Sequence, residues 1–475
     1  MRAAAGVCLW GKADRLQIIR TVSQSAARQD SGHPWRRVPL LPLIAATYFM
    51  VSGGPYGLED IVGQAGYARA LLLLCIVPVL WSLPTALMVG ELASAMPEEG
   101  GFYVWVTRAL GRFWGFQEAW LSLVASIFDM AIYPALAVAY LAQLDPALVA
   151  GSRGVLLSVA IVALCVAWNL RGALTVGRSS LWMFALLLTP FIGILLFGLW
   201  STAAPFHAVS FGTRPLHGSL TTALLFAMWN YMGWDNSSTI AREVENPQRN
   251  YIRAMLAAVL LVTFSYVLPV AVVALAGVPA STFVTGAWAA AARSLAVAHV
   301  GARAAAWLGI SVVAGGALTG LAMFNSLTLS YARVPASMAE DGLLPKVFAR
   351  HLSNGVPWVA VLACGAAWAL ALGLALTRLL ELDIMLYGLS LVLEFVALVR
   401  LRLREPAMPR PFRIPGGRIV LSAIATVPSA LVFFAVWAAR GDRLTAGVPA
   451  IALGAALILA GPLLYGAFGM GRRIP

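Results

Sequence analysis

Charge is scarce in this chain: 11% of its 475 residues are Asp, Glu, Lys or Arg, against roughly 25% in an average soluble domain. With 60% apolar residues and a mean hydropathy of +0.83, there are too few polar side chains to cover a water-facing globule of this size. A soluble enzyme is excluded on those grounds. Cysteine is also rare. Cys8, Cys75, Cys165 and Cys364 are widely spaced, three of them inside apolar runs, which is neither a disulfide framework nor a metal-ligand spacing. The five histidines, His33, His207, His217, His299 and His351, fall in expected loops or tails, away from any Ser, Cys or ligand cluster. No catalytic constellation, metal or cofactor is therefore expected.

What the chain does have is long apolar runs, and about 20 such residues cross the roughly 30 Å hydrocarbon core as a helix. Twelve stretches qualify: 38–63, 68–96, 113–143, 154–170, 177–200, 217–241, 253–278, 304–332, 356–376, 379–400, 419–439 and 444–468. The expected fold is an all-α membrane protein of twelve transmembrane helices. A net charge of +13 could suggest nucleic-acid binding, but the basic residues form no single patch and lie between the apolar runs. Of 33 Lys and Arg, 25 fall in the tails and even-numbered loops and 8 in the odd-numbered loops. Cytoplasmic loops hold the basic excess, so both termini are expected in the cytoplasm. The bilayer is the expected partner, with no role for nucleic acid.

Residues 1–37 read as a basic cytoplasmic tail. Their Arg, Ser and Ala mixture faintly resembles an organelle transit segment, and no cleaved secretory signal is expected because the apolar run from Ala3 to Trp10 is too short.

Two spans are interrupted at their middles. The first contains Ser52-Gly53-Gly54-Pro55-Tyr56-Gly57, where four of six residues weaken helical pairing. The sixth contains the polar run from Asn230 through Tyr231, Gly233, Trp234 and Asp235 to Ser238. Irregular backbone is tolerated at membrane depth only where it lines a protein-enclosed or watery cavity. The breaks open two five-helix blocks, 38–200 and 217–400, and a five-helix unit reverses direction in its second copy. That is the inverted-repeat plan of secondary transporters with a central site at the broken helices. Residues 401–475 then add helices 11 and 12 and a tail.

Several motifs together resemble the amino acid-polyamine-organocation superfamily, most closely its polyamine-uptake and L-type amino acid branch. They are Ser52 to Asp60, Glu91-Leu92-Ala93, Pro97 to Trp105, Gly115 to Glu118, Asp129 with Tyr133-Pro134, Trp234-Asp235 through Glu243-Val244-Glu245-Asn246-Pro247, and Arg410 to Gly416. The resemblance runs from about residue 38 to 468 and implies a LeuT-like five-plus-five inverted repeat with alternating access, usually driven by protons. Some amino acid members carry a lysine in the fifth span that replaces a sodium ion. Ser179 to Trp200 here contains no charged residue, which puts that coupling device in doubt.

The residues themselves lead to the same site. Breaking the first span frees carbonyls near Met50 to Ser52, suited to an ammonium group, and amides near Gly54 to Gly57, suited to a carboxylate. Met228, Trp229, Asn230, Tyr231, Gly233 and Trp234 supply the opposing wall, with Trp234 the favoured aromatic contact to an alkylammonium. Carboxylates within spans cost about 2.5 kcal/mol or far more when charged, so Glu59, Asp60, Glu118, Asp129, Asp235 and Glu394 are informative. The expected substrate-binding set is Ser52, Gly53, Gly54, Tyr56, Gly57, Asp129, Tyr133, Asn230, Gly233, Trp234 and Asp235. Glu59, Glu91, Glu118 and Glu394 are the expected proton-coupling or gate residues, with Glu91 pairing Arg108, Arg112 or Arg242 in a closed inner gate. The six arginines from Arg400 to Arg418 are expected to anchor the inner face near anionic lipid.

The expected activity is import of polyamines or other cationic amines by proton symport across the plasma or inner membrane. A neutral amino acid permease or exchanger is the alternative within the class, and a channel or transporter-like sensor lies outside it. Saturable, proton-gradient-dependent uptake with counterflow separates a carrier from either.

Overall fold

The computed structural model describes residues 37–201, 220–372, 376–438 and 450–469. The tail and any transit segment before residue 37, like His207 and His217, lie outside the described residues.

Every described apolar stretch is helical, for the reason a bilayer imposes: backbone groups without water must pair within the segment. The first expected span is α1 (Leu40–Val51), an irregular turn, and α2 (Glu59–Ala65). The second is α3 (Tyr67–Val77), a π-helical turn at Pro78–Ser82, and α4 (Leu83–Ala95). Pro78 and Pro84 lack the amide that a regular helix would use there, which accounts for the wider turn. A short helix, α5 (Phe102–Leu110), ends at Gly111 and leads into α6 (Arg112–Leu141). Then come α7 (Ser152–Asn169), α8 (Ala173–Trp200), α9 (Leu220–Asn230) and α10 (Pro247–Leu275). The second half continues with α11 (Ala287–Tyr331), α12 (Arg333–Glu340), α13 (Trp358–Ala369), α14 (Leu376–Arg404), α15 (Gly417–Ala438) and α16 (Ala450–Gly469).

Eight helical segments among the described residues are long and apolar enough to cross a membrane, and three further apolar helices are shorter. The chain is a multi-pass integral membrane protein. One element departs from the sequence reading, which begins the eighth span at 304. Helix α11 starts at Ala287 and bends at Gly301, where φ is +76° and the chain turns before re-entering the bundle. The alanine-rich run before it, from Ala287 to Val300, is a good helix former that lies between the expected spans 253–278 and 304–332.

The bundle inverts the soluble pattern. On α8, Trp182, Leu186 and Leu196 are more than 60% exposed, as befits a lipid-facing row, whereas Glu59, Glu91, Glu118, Asp129, Asp235, Asp383 and Glu394 are all buried. The two broken helices are laced together: the Val38 amide donates to the Glu243 carbonyl (2.8 Å) and the Glu245 amide to the Val38 carbonyl (3.0 Å).

Candidate transport site

The two breaks meet at one glycine. A Cβ on Gly233 would lie 2.2 Å from the Met50 carbonyl oxygen, and its φ of +93° suits no other residue well. The Gly233→Ala variant is therefore expected to separate α1 from the sixth-span break and lose most uptake at normal membrane abundance. Wild-type uptake by that variant would show that this close approach is dispensable.

Around this contact lies a small cavity lined by Asp129 and Tyr133 from α6, Asp383 and Tyr387 from α14, Tyr331 from α11, and Met50, Trp229, Met232, Gly233 and Asn236 from the breaks. Its free volume is about 10 Å³, room for about one water. A larger solute enters only if these walls move apart. Asp129 accepts from the Tyr133 hydroxyl (2.6 Å) and the Trp229 indole (3.4 Å), and the Tyr133 and Trp229 rings stack at 6.3 Å. Tyr387 accepts from the Gly233 amide (3.0 Å) and donates to Asp235. No lysine or arginine is among the lining residues.

Of the expected binding set, Asp129, Tyr133 and Gly233 line this cavity, and Asp235 stands behind Tyr387. The others do structural work in this conformation. Trp234 is fully buried and donates to the Tyr231 carbonyl at 2.8 Å, away from the cavity. The tryptophan that lines the cavity is Trp229, whose indole reaches Asp129. Asn230 bonds the Phe226 carbonyl, and the Tyr56 hydroxyl donates to the Val312 carbonyl. The carbonyl of Gly53 accepts from Thr319 (3.0 Å).

The Gly54 and Gly57 amides of the first break are not open to a carboxylate. Gly54 donates to the Ser52 hydroxyl (3.0 Å) and Gly57 to the Glu59 carboxyl (2.7 Å). Glu59 also accepts from the Gly286 amide (3.1 Å) and the Tyr140 hydroxyl. The Glu59 carboxyl thus already occupies the N-terminus of α2, the place suited to a substrate carboxylate. Asp60 accepts from Thr285 (3.0 Å), pinning the same turn to the segment before α11.

Helices α6 and α14 share a register that the separate spans do not reveal. Asp129 and Asp383 line one cavity, and the Ser122 hydroxyl meets Ser390 at 3.3 Å. Moving down one helix as the other moves up brings Glu118 level with Glu394. Each acid pair is eleven residues from the other, roughly 16 Å along an α-helix. Ser122 donates to Glu118 (3.1 Å), while Glu118 Oε2 and both Glu394 carboxyl oxygens have no hydrogen-bond partner among the described residues.

The ion pairs around Glu91 differ from the expected ones. Glu91 is gripped by Arg402 through two hydrogen bonds, lies 3.2 Å from Arg410 Nε, and accepts the Ile414 amide at 2.8 Å. Arg108 instead pairs with Glu405 (2.7 Å), Arg112 donates to the Asp341 carbonyl (2.6 Å), and Arg242 faces Glu99 (3.8 Å). The sequence pointed to Arg108, Arg112 or Arg242, whereas the fold brings in Arg402, 311 residues away, and Arg410. Glu99 also faces His351 at 3.8 Å, and the Glu99 carboxylate beside it raises the imidazole pKa.

The amino acid permease family pattern matches residues 44–461. The chain belongs to the amino acid permease family. Within the wider amino acid-polyamine-organocation superfamily, it is similar to a probable polyamine transporter of Arabidopsis thaliana, 34% identical over 86% of this chain and 81% of that protein. A polyamine transporter of Oryza sativa subsp. japonica is 33% identical over 85% of this chain and 75% of its own length. A serine/threonine exchanger of Bacillus subtilis (strain 168) is 28% identical, covering 78% of this chain and 83% of that protein. This permease is thus a transporter of a small molecule, and the cavity at its two breaks is the candidate site.

Asp383, Tyr331, Tyr387, Met232 and Asn236 line the cavity and are absent from the expected set. For Asp383 and Tyr387 the signal was present: an aspartate four residues into an apolar stretch, with a tyrosine one turn later.

Proposed function

We propose that this permease imports polyamines or related cationic amines by proton symport and alternating access. In this reading the chain crosses the plasma or inner membrane twelve times with both termini in the cytoplasm. Residues 38–200 and 217–400 form inverted five-helix repeats, and 401–475 carries two added helices and a tail.

The observation that carries the reading is the pair Asp129 and Asp383 lining one cavity with three tyrosines, a tryptophan and no basic side chain. Two carboxylates facing one small space are relieved by a shared proton or by a cation between them, and an alkylammonium gains both charge pairing and aromatic contact there. The polyamine-named relatives favour the same class. A neutral amino acid substrate has support from the serine/threonine exchanger, but its carboxylate would have to displace Ser52 and Glu59 from the Gly54 and Gly57 amides. The proton is assigned to Glu118 and Glu394, three of whose four carboxyl oxygens lack partners among the described residues at the far end of the same helix pair. Glu59, with three donors, serves as a fixed brace, and Glu91 as the inner gate with Arg402 and Arg410.

The test is uptake by purified protein in liposomes, comparing putrescine, spermidine, arginine and leucine with and without an inward proton gradient. Saturable putrescine or spermidine uptake that rises with the gradient is expected. The Asp235→Asn variant is expected to weaken polyamine uptake selectively, through the hydrogen bond from Tyr387. Leucine transport without polyamine flux would overturn the assignment, and binding without flux would indicate a sensor.

A further inference from the structure

A second cavity, of about 350 Å³, opens between α14 and α15 at the arginine-rich end of the bundle. On α14 its wall is Val396, Val399, Arg400 and Leu403, the spacing of one helical face. Ala425 and Ser429 of α15 form the other wall, and Phe395 the floor. Val396 is 44% and Leu403 65% exposed, so the groove lies on the lipid-facing side of the bundle.

Its chemistry is graded along the helix. The deeper part is apolar, and the Ser429 hydroxyl is already satisfied by the Ala425 carbonyl (2.7 Å). Arg400 and Arg404 both line the mouth, one turn apart. Between them Arg402 turns the other way, into the bundle, where Glu91 holds it. Arg400 Nε is buried without a hydrogen-bond partner among the described residues. A neutral amphiphile could fill the apolar part, but it would leave that guanidinium donor unsatisfied at a cost. A phosphodiester supplies charged oxygen acceptors in the geometry that guanidinium groups favour.

We propose that this groove is a binding site for an anionic phospholipid. One acyl chain lies along Val396, Val399 and Ala425, and the phosphate is held by Arg400 and Arg404. Because Arg402 sits on the same helical turn as these two residues and holds Glu91, an occupied groove stiffens the segment that carries the inner ion pair. The proposal does not depend on which solute the central cavity takes.

The full-length protein, reconstituted with equal phosphatidylglycerol and phosphatidylcholine and then released for native mass spectrometry, tests it. The wild type is expected to retain phosphatidylglycerol over phosphatidylcholine by roughly 30-fold, as two arginines at about 1 kcal/mol each give. The double variant Arg400→Gln, Arg404→Gln is expected to remove that preference. Ala425→Phe, which fills the groove without changing charge, should lower retention of both lipids. Equal retention of the two lipids by the wild type overturns the site, as does an undiminished preference in the double variant. Displacement of the bound lipid by millimolar inorganic phosphate would equally overturn it, because the apolar wall would then contribute nothing.

Discussion

Replacing either Asp129 or Asp383 by asparagine is expected to lower kcat/KM for putrescine by about 100-fold, with the purified variant still monodisperse. Both carboxylates line the cavity at the helix breaks. A unit charge about 4 Å from an ammonium contributes about 4 kcal/mol at an effective dielectric of 20, and part of that is offset by desolvation. A net loss of about 2–3 kcal/mol corresponds to the stated factor. The amide of asparagine fills the same volume and still accepts from Tyr133, so the Asp129→Asn variant removes charge rather than packing. Uptake of putrescine within threefold of wild type in both variants would place the amine elsewhere and sink the assignment of this cavity.

Removing Glu91 is expected to have the largest effect on stability, about 3 kcal/mol or more, because breaking a buried pair leaves charge uncompensated. Its side chain is buried, ion-pairs with Arg402 and Arg410, and accepts the Ile414 amide. The measurement is the thermal midpoint in detergent for Glu91→Ala, Arg402→Ala and the double variant. The double variant should lose less than the sum of the singles, since it abandons one fewer guanidinium. Additive losses would mean that the two side chains do not act as a pair. The same variants bear on gating: if the pair closes the inner end, Glu91→Ala shifts the protein toward its inward-open form, readable as altered accessibility of a single reporter cysteine.

How much of the site could be read in advance differs by residue type. Glycine and proline in an apolar run mark a break whatever surrounds them, so Gly53, Gly54 and Gly233 were evident from the chain alone. An acid buried in lipid is costly, so Glu118, Asp129, Asp235 and Glu394 also stood out. Partners did not. Trp229 and Trp234 are five residues apart in one polar stretch, and only the turn at the break decides that the first faces Asp129 and the second packs against Tyr231. Likewise, the amides after Gly54 look free in the sequence until Ser52 and Glu59 fold back onto them.

The sequence by itself determined a membrane-spanning helical protein, the positions of its two broken spans and the acidic character of its interior. Those follow from hydrocarbon thickness, backbone pairing and the cost of buried charge, all of which act on residues near one another in the chain. Only the tertiary structure decided that Asp383 faces Asp129, that Glu394 comes level with Glu118, and that Glu91 is held by Arg402. Those pairings depend on the register of α14 against α6 and α4. Between helices, apolar surfaces of similar composition pack in many registers, and the few polar contacts that select one are separated by hundreds of residues.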